Sequence, residues 1–156
     1  MLHMKLVWRV VKSNLGYVVE TAAGSGGPLF HICQVGSCLC NDDDGHNTAV
    51  AIAEEHNAAL KQELLAAHRE RWLSELPDLG HFFVTNTGFT IDKLQSSEKN
   101  VQTKLCFSSG ELLAYESTTY SGDGERVFFV NLKGEAGFAK GTSLAKLIND
   151  GVIAQI

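Results

Sequence analysis

Apolar and polar positions alternate along residues 5–12 (KLVWRVVK), and the run closes on Ser13-Asn14-Leu15-Gly16, a pattern that predicts a strand and a turn. Residues 17–21 supply the returning strand of a hairpin. A glycine-rich turn over 22–28 then leads to a third strand at 29–35 (LFHICQV). From Asn47 the period changes. Residues 47–76 are rich in Ala, Leu, Glu and Lys and predict one long helix, stopped at Pro77 because the residue before proline is pushed out of the α region. Its apolar stripe drifts: Ala49, Ala53, Leu60, Leu64 and Ala67 share one face, and Leu65, Trp72 and Leu76 share another. A helix of this length measures roughly 45 Å, against roughly 40 Å for a globule of this chain length. The second face is therefore expected to meet the C-terminal half or another copy of the chain, most simply in a homodimer.

Beyond Pro77 the period is two. Strands are predicted at 81–85 and 89–92 around Asn86-Thr87-Gly88, and again at 101–107, 112–117 and 126–132. A short helix at 143–149 has Thr142 and Ser143 as cap candidates, with Gly151 where a left-handed residue is wanted. The pattern predicts an α+β fold: three N-terminal antiparallel strands, one long central helix, a mostly antiparallel β half and a short C-terminal helix. Residues 1–156 have the size of a single domain, with 1–76 and 81–156 as its sub-units.

Charge narrows the partners. With 13 Lys and Arg against 18 Asp and Glu, a net charge of −5 and no basic stripe, nucleic acid is not an expected partner. The single Asp42-Asp43-Asp44 run is too short for an acidic mimic of DNA. No apolar run approaches the ~20 residues that span a bilayer, and Met1-Leu2-His3-Met4 is not a signal-peptide core, so no membrane partner and a cytoplasmic location are expected. There Cys33, Cys38, Cys40 and Cys106 are expected as reduced thiols.

No motif for catalysis, metal or cofactor is complete. Cys33, Cys38 and Cys40 with His31 and His46 have the residue types of a zinc site but not paired-knuckle spacing, and His31 and Cys33 fall in an apolar strand where both read as core. A calcium loop around Asp42-Asp43-Asp44-Gly45 would put Cys40 at its first position and Ala51 at its twelfth, so both key ligands are missing. Gly24-Ser25-Gly26-Gly27 leads into a strand, and in residues 134–143 (GEAGFAKGTS) Lys140 precedes Gly141 instead of following it, so neither is a nucleotide-hydrolase loop. No serine sits in a nucleophile elbow, and Cys106 has no histidine tied to it by sequence.

One stretch keeps a chemical meaning. Lys140, Gly141, Thr142 and Ser143 open the short helix, where amide donors and a cation converge in the manner of an anion site; a plain cap is the alternative reading. Arg126 or Arg71 and an aromatic, Phe82 or Tyr120, are expected to complete the site for a small anionic nucleotide.

Residues 5–65 resemble small accessory proteins of the early regions of bacteriophages and prophages, the lambda Ead-like type. In these, a few strands precede a helix with a phrase similar to residues 47–60 (NTAVAIAEEHNAAL). The resemblance implies a phage-encoded, non-catalytic binding protein in the host bacterial cytoplasm. Such a protein would counteract antiviral defence by sequestering a nucleotide signal or blocking a defence protein. The alternatives are a phage regulatory protein that binds a host partner and a small nucleotide hydrolase.

Overall fold

The computed structural model describes residues 2–22, 30–36, 42–68, 81–94, 104–122 and 124–156. A 3-10 turn, Leu2–Lys5, precedes strands β1 (Trp8–Ser13), β2 (Gly16–Thr21) and β3 (His31–Gly36). Helix α1 (Asp42–Ala67) follows. Strands β4 (Phe82–Thr85), β5 (Phe89–Lys93), β6 (Lys104–Phe107), β7 (Leu112–Ser121), β8 (Gly124–Asn131) and β9 (Ala136–Lys140) come next, then α2 (Leu144–Asn149) and β10 (Ile153–Gln155). The α+β fold expected from the pattern is the one observed.

The first three strands form a small antiparallel sheet, β1-β2-β3. The rest form a seven-stranded antiparallel sheet in the order β10-β4-β7-β8-β9-β5-β6. Side chains alternate across a strand, so this sheet buries two different sets of residues. One face gathers Phe83, Ile91, Phe107, Leu113, Val127 and Phe129, with α2 contributing Leu147. The opposite face presents Phe82, Val84, Leu112, Ala114 and Val130 to Leu60 and Leu64 of α1. Neighbouring phenylalanines therefore serve opposite faces, Phe82 and Phe83 on β4 and Phe128 and Phe129 on β8.

Helix α1 carries one apolar stripe shared by two sheets in succession. Ala49 and Ala53 pack on Tyr17 and Val19 of the small sheet, whereas Leu60 and Leu64 pack on the large one. Small Ala side chains make the first contact and larger Leu side chains the second. Both parts of the stripe over Asp42–Ala67 are thus covered within one chain. Ala67, placed by periodicity on the same stripe, is exposed. Trp72 and Leu76, which carry the expected second face, lie outside the described residues. The helix also starts earlier than its sequence predicts, at Asp42 and not Asn47. Acidic residues complement the partial positive charge of a helix N-terminus, so the aspartates belong to the first turn.

The segment between the 3-10 turn and β1 threads between α1 and the large sheet. Asn57 clasps Trp8 by accepting from its backbone amide and donating to its carbonyl, both at 2.9 Å. His56 stacks on the Trp8 indole with ring centroids 3.6 Å apart, and its Nε2 lies 2.8 Å from the Leu6 carbonyl. From the other side, the Val7 amide donates to Gly110 O and Leu6 bridges to Glu111. Among the described residues no helix is long and apolar enough to cross a membrane.

Candidate functional site

Two of the residues expected at an anion site are neighbours. Arg126 on β8 and Lys140 on β9 are direct cross-strand partners, and the Arg126 guanidinium lies over the Phe138 ring at 5.1 Å from its centroid. Thr119 on β7 completes the row as the partner of Arg126. Tyr120 is close in register, paired with Glu125, but alternation sends it to the opposite face, where it is 80% exposed. Phe82 is elsewhere: it lies buried under α1 with the Lys61 ammonium 5.7 Å from its ring, so Phe138 stands where the sequence reading placed Phe82. Arg71 lies outside the described residues.

The turn itself differs from a phosphate cradle. Residues 136–140 are a strand rather than a glycine loop, because Ala136, Phe138 and Lys140 pair along β8. The Gly141 amide is already committed to Glu125 O at 3.0 Å. Ser143 is the N-cap of α2, and its side chain accepts from the Lys146 amide at 3.1 Å. Gly151 adopts the left-handed conformation, φ +74°, that closes the helix. Here the plain cap describes Ser143, and the cations stand on the sheet.

A second feature was not visible in the pattern. A pocket of about 310 Å3 opens at the seam between the N-terminal segment, the second half of α1 and the large sheet. Its apolar wall is made by Leu6, Leu105, Leu112 and Leu132, with Cys106 beside them. Its polar groups are Lys5, Glu63, Glu111, Asn131, Lys133 and Glu135. The volume falls within the usual range of small-molecule sites.

The turn that carries Glu111 and the loop from Asn131 to Glu135 are held by local hydrogen bonds. Thr85, fully buried at the end of β4, donates from its hydroxyl to Ser108 O at 2.6 Å and accepts from the Glu111 amide at 3.0 Å. Ser109 donates to Asn86 O at 2.8 Å, and Gly110 takes φ +85°. This fixes the turn from β6 to β7 on which Glu111 stands. On the other side, Asn131 Oδ1 accepts from the amides of Lys133 and Glu135 at 3.1 and 2.9 Å, while the buried His68 ring meets the Asn131 carbonyl. An asparagine closing a turn on its own downstream amides sets the loop shape without help from the rest of the fold.

The electrostatics are uneven. Glu63 pairs with Lys5, and Glu135 pairs with Lys93 at 2.8 Å. The Lys93 and Asn131 side chains hold the Glu135 carboxyl below its ordinary range. Glu111 goes the other way: burial pushes it up, against the lowering effects of the Ser108 amide and the nearby Lys133 charge. Cys106 is an exposed thiol, with Thr90 Oγ1 3.6 Å from its sulfur.

Among the described residues no three His, Cys, Asp or Glu side chains gather as a metal site. A bulge separates His31 from Cys33: Cys33 is opposite Val19 on the helix-facing side, and His31 is opposite Glu20 on the other. They do not share a face. Cys38 and Cys40 lie outside the described residues. Protein-family models, curated proteins and solved structures were all compared with the chain, and none matches it.

Proposed function

We propose that this chain is a non-catalytic binding protein that holds a small molecule in the pocket between its N-terminal segment, α1 and the large sheet. The observation behind this reading is the construction of the pocket. Segments far apart in sequence converge on one cavity, and the two turns that carry Glu111, Lys133 and Glu135 are each fixed by dedicated side-chain hydrogen bonds, from Thr85 and from Asn131. Preorganised polar groups around an apolar wall lower the ordering cost of binding. In the phage setting that the resemblance implies, such a protein would act on host defence by sequestration, which needs affinity and no turnover.

Mass spectrometry of denatured protein reads out any small molecule retained through purification. A compound present in wild-type protein and absent from a folded Cys106→Trp variant supports the reading, since the exposed Cys106 position tolerates bulk that would fill the cavity. A compound retained equally by both would move the site elsewhere.

A second reading is favoured by the Arg126–Lys140 row. Two cations in direct register, with Phe138 beneath the guanidinium, suit a nucleotide whose phosphate bridges them. Calorimetric titration with cyclic dinucleotides would detect it. Affinity lost on Lys140→Ala supports this branch, and unchanged affinity removes it.

A further inference from the structure

The seam pocket is unequal in how its acids are satisfied. Glu63 and Glu135 each already have a lysine partner. Glu111 makes no ion pair among the described residues: the Ser108 amide donates to it, and Lys133 acts on it through space. A carboxylate offers about four acceptor positions, so most of its capacity is uncommitted. The backbone beneath it cannot yield, because Thr85 grips the turn and Leu6 bridges to Glu111 itself. Leu6, Leu105 and Leu112 form the apolar wall beside it.

We infer that the pocket takes a small primary amine with an apolar body. Its ammonium donates to the Glu111 carboxylate while its body lies on the leucines. This deepens the pocket reading above and depends on it. An ammonium brings three donors and no acceptor, the complement of a carboxylate short of donors. A phosphate or carboxylate ligand would instead bring like charge against Glu63, Glu111 and Glu135. Lys133 opposes the amine, but from an exposed position where solvent weakens its charge without cancelling it.

Three probes share one body and differ in the head: 2-phenylethylamine, 2-phenylethanol and phenylacetate. Their binding is followed by chemical-shift changes in amide spectra of the full chain at neutral pH. The amine is expected to bind about ten-fold more tightly than the alcohol, the difference worth one charge-assisted hydrogen bond. Glu111→Gln should abolish that preference and leave alcohol binding unchanged. Lys133→Glu should strengthen amine binding without touching Glu111, which keeps the test open if Glu111→Gln fails to fold. If the alcohol or phenylacetate binds as well as the amine, or if the folded variants leave the preference unmoved, the ligand class is wrong and the pocket stands. If none of the three shifts residues of the pocket, the pocket reading itself falls with it.

Discussion

Thr85 and Glu111 are joined by reciprocal hydrogen bonds: the Thr85 amide donates to Glu111 O at 3.0 Å, and the Glu111 amide donates to the Thr85 hydroxyl at 3.0 Å. The same hydroxyl donates to Ser108 O. Thr85→Val keeps the shape and the backbone bond to Glu111 O but removes the two bonds of the hydroxyl, leaving the Glu111 amide and the Ser108 carbonyl with only their long 3.4 Å contact to each other. A loss of about 1–3 kcal/mol is expected for each group left unsatisfied, read from urea denaturation. The amine preference of the pocket should fall as well, because Glu111 then loses its fixed backbone.

Gly110 and Gly141 both have positive φ, +85° and +71°, yet they should respond differently to alanine. A Cβ at Gly110 would lie 2.8 Å from the Ala22 carbonyl oxygen, whereas one at Gly141 meets nothing within 4 Å. Gly141→Ala is expected to cost only the backbone strain, about 1–2 kcal/mol. Gly110→Ala must cost more, since it also pushes the backbone at Ala22, just after β2, away from the turn. Equal midpoints in urea for the two variants would contradict the close approach.

Leu64→Ala and Ala53→Leu test whether α1 serves two sheets. Leu64 is fully buried against the large sheet, so its truncation should cost about 2–5 kcal/mol. Overpacking at Ala53 should cost about 1–3 kcal/mol and act on the small sheet. Hydrogen exchange is expected to rise first in β4 and β7 for the former and in β1 to β3 for the latter.

Glu111 and Glu135 should shape the acid limb of stability with opposite signs. Burial raises the Glu111 pKa above the ordinary 4.5, so the folded chain holds that proton more tightly than the unfolded chain. Its contribution is fully present below 4.5 and is lost as pH rises through its folded value. The Lys93 and Asn131 hydrogen bonds lower Glu135 beneath 4.5, so it stabilises above that value and the gain is lost as pH falls through its folded pKa. Urea midpoints across the acid range should therefore change above 4.5 in Glu111→Gln and below it in Glu135→Gln.

Ser143→Ala should destabilise by about 0.5–2 kcal/mol through loss of the cap to Lys146. Thermal unfolding without added anion reads this directly. No loss would mean that the hydroxyl is not committed to the helix.

The elements legible in the sequence were those whose period is unbroken. The first hairpin shows in the alternation of residues 5–12 and in Gly16, whose φ of +128° belongs to the turn. The helix shows in its Ala and Leu spacing, but its first turn does not, because Asp42-Asp43-Asp44-Gly45 has the composition of a loop, although acidic residues also suit a helix N-terminus. Strand β9 was hidden because AGFAK lies between Gly134 and Gly141 and reads as a glycine loop. Strand β10 is three residues long, too short to show a period. The Arg126 and Lys140 cations were both found, yet their register with each other, and Phe138 rather than Phe82 beneath them, depend on β8 pairing with β9. Glu111 gave one faint signal, an acid after Ser108-Ser109-Gly110 and before an apolar strand. Lys5, Glu63 and Glu135 gave none, since they meet Glu111 only once distant segments are assembled.

The two sheets impose different demands on the folding chain. Strands β1, β2 and β3 pair with their immediate neighbours in sequence, so their order can be established by closing short loops. In the large sheet Ile153 must find Thr85, and Phe138 must find Asp92, across long intervening stretches. The entropy of closing such loops is spent before the contacts are gained, which makes non-local sheets slow to form. The small sheet with the first turns of α1 is thus placed to form early and offer Leu60 and Leu64 as a waiting surface. In refolding followed by pulsed hydrogen exchange, amides of β2 should be protected before those of β4 and β10. The pocket, which needs the N-terminal segment and α1 docked on the large sheet, would be the last part of the molecule to exist.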